Sequence, residues 1–145
     1  MKIRVDTPNF SLMLPHEFQT DDSVCMPVAY ASCLGIPYRE ARALFASFQP
    51  GINHGSGTLP ATISRIIEYT ESAGLLPRLS WFCSPSSKAR VADVAAHLPA
   101  GDYVFLMRTH AFHLRVVSPL SAVVTAENEI WVTRTKIENV LKAIR

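Results

Sequence analysis

Three side chains of this sequence have the chemistry and spacing of a cysteine nucleophile and its partners. Cys25 falls where a helix is predicted to begin, the amide of Gln19 lies six residues before it, and His110 opens an apolar strand far downstream. The first turn of a helix lowers the pKa of a thiol, because its unpaired N–H groups and the helix dipole favour the thiolate. A histidine distant in sequence can accept the thiol proton and return it to the leaving group. The pattern indicates thiol-dependent attack on a carbonyl carbon.

Each of these residues also has a plainer interpretation. Cys25 can be a small buried apolar side chain, as most free cysteines are, and Gln19 can be a solvated turn residue. Of the five histidines, His110 and His113 lie in one predicted strand, where an offset of three residues puts them on opposite faces. We assign the base to His110, at the leading edge of the strand, and expect His113 to point outward beside Arg115.

The composition is that of one globular domain. The chain has 145 residues, of which 48% are hydrophobic and 18% charged, enough for a single core. Its net charge of +2 comes from scattered Lys and Arg residues, which argues against a nucleic acid as partner. With no apolar run of membrane-spanning length and no signal-peptide pattern, we expect a cytoplasmic protein with reduced thiols. The sequence contains neither a CxxC nor an HExxH motif, so we expect no metal and no organic cofactor.

The order of predicted elements indicates one domain over residues 1–145. Residues 1–22 form a surface arm, residues 23–75 a helical part, and residues 79–145 a sheet part with flanking helices. Helices are predicted over 24–34, 38–48, 58–73, 88–98 and 135–144, and strands over 79–83, 103–108, 111–117, 121–125 and 130–132. Asp22 or Ser23 is expected to cap the first helix and Gly35 to end it. Helices first and strands later predict a segregated α+β fold with an antiparallel sheet.

Several short motifs, taken in order, resemble those of the papain-like cysteine peptidase superfamily. They span about residues 19–131 and are Gln19-x5-Cys25, Cys25-Met-Pro-Val-Ala29, Ile36-Pro-Tyr-Arg-Glu40, Gly57-Thr58, Pro99-Ala-Gly101 and His110-Ala111. Within the superfamily, the sequence is most similar to the bacteriocin leader-peptidase-like branch and to the short papain-like proteins of tailed phages and prophages. The resemblance implies a papain-like fold, with N-terminal helices packed on a C-terminal antiparallel sheet.

The resemblance also implies catalytic roles. Cys25 becomes the nucleophile, His110 the base and then the acid, and Gln19 an oxyanion donor beside the N–H of Cys25. The family places an Asn or Asp one or two strands after the histidine, where it holds the ring in one tautomer. Asn128 is the best chemical match and Glu129 is its rival, because Glu129-Ile-Trp131 resembles an Asp-x-Trp of some relatives.

The predicted function is cleavage of an amide, peptide or isopeptide bond in a peptide or protein substrate, a host protein among the candidates. Acyl transfer to an amine would use the same residues. The alternative is a papain-like domain without turnover that binds or inhibits a target, for example a phage factor directed at a host protein. This alternative stays open because the sequence departs from the family pattern: it has no Asp at the expected position after His110, where Asn128 and Glu129 stand instead.

Overall fold

A computed structural model of the chain describes residues 2–6, 14–52, 57–85, 89–108, 110–125 and 136–145. Within these ranges the chain forms four α-helices, six β-strands and a 3-10 turn at His16–Phe18. The helices are α1 (Cys25–Leu34), α2 (Tyr38–Phe48), α3 (Pro60–Ser72) and α4 (Val91–Ala95). The strands are β1 (Lys2–Asp6), β2 (Arg78–Cys83), β3 (Gly101–Leu106), β4 (Ala111–Ser118), β5 (Ser121–Thr125) and β6 (Asn139–Ile144).

The six strands form one mixed sheet in the order β1-β5-β4-β3-β6-β2. The α+β class is therefore confirmed. The prediction of an antiparallel sheet holds for every pair except β1 and β5, which run parallel. Residues Lys2–Asp6, expected in a surface arm, add this edge strand to the sheet. Their alternation of charged and apolar residues suits a strand with one solvated face.

Helices cover both faces of the sheet, which separates two buried cores. Strand alternation sends Val104 of β3 and Ala111 of β4 toward α1, α2 and α3. Phe105 and Phe112, one residue further along each strand, pack on the opposite face with Val91 of α4. The central strands are thus apolar on both sides, and a charged or titratable side chain on them needs a polar partner.

Strand β6 corrects the helix predicted over residues 135–144. Its Val140 belongs to the core under α4, and its neighbour Leu141 belongs to the core under α1. Two adjacent apolar residues can serve opposite cores only in an extended chain, and β6 lies between β3 and β2. Thr135, the first residue of the predicted helix, lies outside the described residues, as does the strand predicted over 130–132.

Helices α1 to α4 follow the prediction closely, and Gly35 ends α1 as expected, but the N-cap of α1 differs. Helix α2 has the predicted bounds, whereas α4 is shorter than predicted. Helix α1 begins at Cys25 with Val24 as its N-cap, so the cap assigned to Asp22 or Ser23 is wrong. The backbone of Ser23 is left-handed, with φ of 53°, so the chain enters the helix one residue later, at Val24. No helix of the described ranges has the length and apolar character needed to cross a bilayer.

Candidate functional site

Cys25 lies where the sequence placed it, at the first residue of α1. The N-cap residue, Val24, has no acceptor in its side chain, and its carbonyl oxygen accepts from the N–H of Val28 at 3.0 Å. The N-terminal partial charge of the helix therefore acts close to the thiol, which favours its anionic form. Cys25 itself is half-buried.

His110 immediately precedes β4, in agreement with its predicted place at the leading edge of the strand. Its carbonyl oxygen accepts a hydrogen bond from the N–H of Met107 at 2.9 Å, which closes the connection from β3. The imidazole is half-buried, and its ring centroid lies 6.5 Å from that of Phe112. The imidazole therefore lies beside a residue of the core under α4, at the end of the sheet where β4 begins.

His113 is buried, so the prediction that it points outward is wrong. Its ring nitrogen Nδ1 lies 2.7 Å from the hydroxyl oxygen of Ser32, and Nε2 lies 2.7 Å from a carboxylate oxygen of Asp102. The physical reason is the cover that α1 gives to this face of β4, where both ring nitrogens find polar partners.

Asp102 joins His113 to two arginines. Its Oδ1 accepts from Nε of Arg115 at 2.8 Å, and its Oδ2 accepts from an Nη2 of Arg145 at 3.0 Å. Burial raises the pKa of Asp102, but the hydrogen bonds from Arg115, His113 and Arg145 outweigh burial, and the pKa lies below its ordinary value. Asp102 is therefore an anion at neutral pH.

The protonation state of His113 follows from these partners. Burial lowers its pKa, and the hydrogen bond and negative charge of Asp102 only partly oppose that effect. The imidazole is therefore neutral at neutral pH. Because a carboxylate only accepts hydrogen bonds, Nε2 carries the proton and donates to Asp102, which leaves Nδ1 to accept the proton of the Ser32 hydroxyl.

The same network fixes the direction of α1 over β4. Ser32 is bonded to His113, and Arg145, which holds Asp102, also donates to the carbonyl oxygen of Cys33 at 3.0 Å. Asp102 stands opposite Arg115 in the sheet register. The C-terminal end of α1 therefore lies toward Arg115, and its N-terminal end points toward the beginning of β4.

Of the predicted oxyanion donor and orienting residues, the structure describes Gln19 alone. The side chain of Gln19 donates from Nε2 to the carbonyl oxygen of Leu14 at 2.5 Å, within the segment before α1. Between Gln19 and Cys25, the carboxylate of Asp21 accepts from the hydroxyl of Tyr38 at 2.8 Å and from Nε of Arg42 at 2.6 Å. Those bonds tie the segment to α2.

Asn128 and Glu129, the two candidates for the third catalytic residue, lie outside the described residues.

The other two thiols lie in less favourable surroundings for a nucleophile. Cys33 is fully buried, and burial, with the charge of Asp102, raises its pKa to about 12. Cys83 is exposed at the end of β2, and partial burial of its thiol raises its pKa.

Sequence reasoning missed Ser32 and Asp102. One available signal was the seven-residue spacing of Ser32 from Cys25, which puts both on one side of α1. The other was a charged residue, Asp102, within an otherwise apolar strand. Ser32 also lines a cavity of about 300 Å³ between α1, Leu14 and Tyr38.

Among the described residues, no group of three or more His, Cys, Asp or Glu side chains is arranged to hold a metal ion. Comparison with protein-family models, with curated proteins and with solved structures gave no match for this chain.

Proposed function

We propose that the protein is a thiol hydrolase that cleaves an amide or peptide bond through Cys25 and His110. The observation that carries the proposal is the alignment of α1 with β4. Cys25 and Ser32 are seven residues apart, about 10.5 Å along a helix, and His110 and His113 are three residues apart, about 10 Å along a strand. Ser32 of α1 is hydrogen-bonded to His113 of β4. From this bond toward the beginning of β4, a distance of about 10 Å reaches Cys25 along the helix and His110 along the strand.

The exposure of α1 supports the same assignment. Eight of its ten residues are buried, and the two half-buried residues are Cys25 and Ser32. Seven residues return to the same side of a helix within about 20°. The less buried side of α1 therefore carries both the thiol of Cys25 and the hydroxyl of Ser32 that bonds to β4.

The reaction follows from these groups. His110 takes the thiol proton, and the thiolate attacks the carbonyl carbon of the substrate. The N–H of Cys25 and the amide of Gln19 donate to the oxyanion, for which Gln19 gives up its bond to Leu14. His110 then protonates the leaving amine, and a water molecule, deprotonated by His110, hydrolyses the thioester.

Selective alkylation tests the proposal. The full chain is treated with iodoacetamide at neutral pH, and the rate at each cysteine is followed by peptide mass spectrometry. We expect Cys25 to react at least about tenfold faster than the exposed Cys83, because its thiolate fraction is larger. Cys33 should stay protected in the folded protein, because it is fully buried.

Two histidine variants separate a general-base effect from a change of fold. His110→Ala should reduce the rate at Cys25 to that of an ordinary thiol, whereas His97→Ala, at an exposed histidine after α4, should leave it unchanged. Cys25 reacting no faster than Cys83 in the folded wild-type protein would overturn the proposal.

Turnover provides the second test. Hydrolysis of a library of N-acyl tetrapeptide aminocoumarins should be lost in Cys25→Ala, and Gln19→Ala should lower kcat by about 10²–10³-fold if Gln19 serves the oxyanion. Of Asn128→Ala and Glu129→Gln, the variant with the larger loss of kcat identifies the residue that orients His110.

Binding without turnover is the second candidate, and the outer edge of β2 favours it. This strand ends the sheet, and it exposes Trp81 and Phe82 beside a cavity of about 370 Å³ that reaches Asn139 of β6. An exposed sheet edge can pair with an extended peptide through its backbone, and a neighbouring pocket can hold a side chain of that peptide. Selective alkylation of Cys25 argues for the enzyme, and equal slow alkylation of Cys25 and Cys83 argues for the binding protein.

A further inference from the structure

We propose that Ser32, His113 and Asp102 form a second nucleophilic site, which accepts the acyl group of a small aryl ester or thioester. The proposal starts from the continuous hydrogen-bond chain that links a hydroxyl, an imidazole and a carboxylate. Both links, from Ser32 to His113 and from His113 to Asp102, measure 2.7 Å. A nucleophile within hydrogen-bonding reach of a base, itself oriented by a third group, is the arrangement that activates a hydroxyl.

The surrounding charges set the protonation states of Asp102 and His113 that nucleophilic attack by Ser32 requires. Arg115 and Arg145 hold Asp102 as an anion, and that anion holds the proton of His113 on Nε2. The nitrogen turned toward Ser32 is therefore an acceptor, ready to take the hydroxyl proton.

A substrate can reach Ser32 from one side. Ser32 is half-buried, and it lines the cavity of about 300 Å³ whose other walls include Val28, Ala31 and Tyr38. A space of this size lined mainly by apolar side chains suits a short acyl chain rather than a folded protein segment. His113 and Asp102 lie behind Ser32, covered by α1.

The chemistry balances with these groups and water. The oxygen of Ser32 bonds to the acyl carbon while its proton passes to Nδ1 of His113, and the bond from that carbon to the leaving oxygen or sulfur breaks. The leaving group carries away the proton from His113. Water, deprotonated in turn by His113, then releases the acid and restores the Ser32 hydroxyl.

The position of Ser32 restricts the substrate class. Ser32 lies in the third turn of α1, where backbone N–H groups are used within the helix, so the helix supplies little help to an oxyanion. Attack is then confined to acyl compounds whose leaving group departs easily, such as a phenol or a thiol. Ordinary peptide bonds, the substrate proposed for Cys25, have a poor leaving group and are therefore excluded at Ser32.

A fluorophosphonate probe tests the site on the full chain. The probe labels activated serines, whereas iodoacetamide labels thiols, so the outcome does not depend on the proposed role of Cys25. We expect one probe per chain on the peptide that contains Ser32, and hydrolysis of p-nitrophenyl butyrate that the probe blocks. His113→Gln should lower the labelling rate by at least about 100-fold.

Three serine variants complete the test. Ser32→Ala should abolish labelling, and Ser47→Ala, at an exposed serine of α2 whose hydroxyl donates to the carbonyl oxygen of Leu44, should not change it. Ser32→Cys keeps a nucleophile of similar size, and should move reactivity at this position from fluorophosphonate to iodoacetamide. An unlabelled Ser32 in folded wild-type protein, or labelling and ester hydrolysis that persist in Ser32→Ala, would overturn the proposal.

Discussion

The two ends of α1 differ in how their polar groups are held. At the C-terminal end, Ser32 is bonded to His113, and Arg145 connects the last carbonyl groups of the helix to Asp102. At the N-terminal end, Cys25 follows Val24, a residue whose side chain cannot cap the helix. The first arrangement stabilises the position of the helix, and the second favours negative charge on a thiol. One short helix thus combines an end whose position is set by side-chain hydrogen bonds with an end whose dipole favours a thiolate.

Asp102→Ala should produce the largest loss of stability, because it removes the acceptor shared by His113, Arg115 and Arg145. The substitution leaves Nε2 of the buried His113 without its acceptor, whereas Arg115 and Arg145, whose side chains are more than half exposed, stay hydrated. We expect the free energy of unfolding to fall by about 2 kcal/mol, measured by urea denaturation. Glu68→Ala, at an exposed carboxylate of α3, is the control, and should change it by less than about 0.5 kcal/mol.

A loss from Asp102→Ala no larger than that of the control would mean that the C-terminal end of α1 is not held by this network. In that case, the contrast between the two ends would disappear. The apolar packing of α1 would then set its position alone.

His113, bonded near the C-terminal end of α1, should make stability depend on pH, with an effect smaller than that of Asp102→Ala. The pKa of folded His113 lies below its ordinary value of 6.5 because of burial. Between pH 7 and pH 5 the unfolded chain therefore binds a proton that the folded chain excludes, so the free energy of unfolding falls as the pH falls. The lowered pKa of Asp102 adds a loss of the same sign in more acidic solution.

Comparison with His113→Gln isolates that contribution, because every other titrating group is common to both proteins. Urea titrations at pH 7 and pH 5 should show that the free energy of unfolding falls less between these pH values in the variant than in the wild-type protein. Equal changes in the two proteins would show that His113 does not titrate below its ordinary range.

How far the sequence predicted this structure depends on the range of the interactions. The bounds of α2 followed from its own apolar spacing, and the position of Cys25 from the residues around it. Strand β6 did not follow, because Val140 and Leu141 reveal opposite cores only once the neighbouring strands are in place.

The candidate site divides in the same way. The helix start at Cys25 and the strand edge at His110 are local features, and both could be predicted. The bond between Ser32 and His113 joins residues 81 positions apart, and the burial of His113 results from the cover of α1. The alternation of residues along β4 predicted which side chains share a face with His113, but not which of the two faces α1 would cover.

Cys25→Ser should have the smallest effect on stability, and this tests the other side of the comparison. Serine replaces sulfur by oxygen at a half-buried position outside both main buried cores. We expect the free energy of unfolding to change by less than about 0.5 kcal/mol, while alkylation at this position and any peptide hydrolysis are lost. A loss of more than about 1 kcal/mol would contradict this, since it would make Cys25 a residue that stabilises the fold. Retained stability with lost peptide hydrolysis is the combination that distinguishes a nucleophile from a packed cysteine.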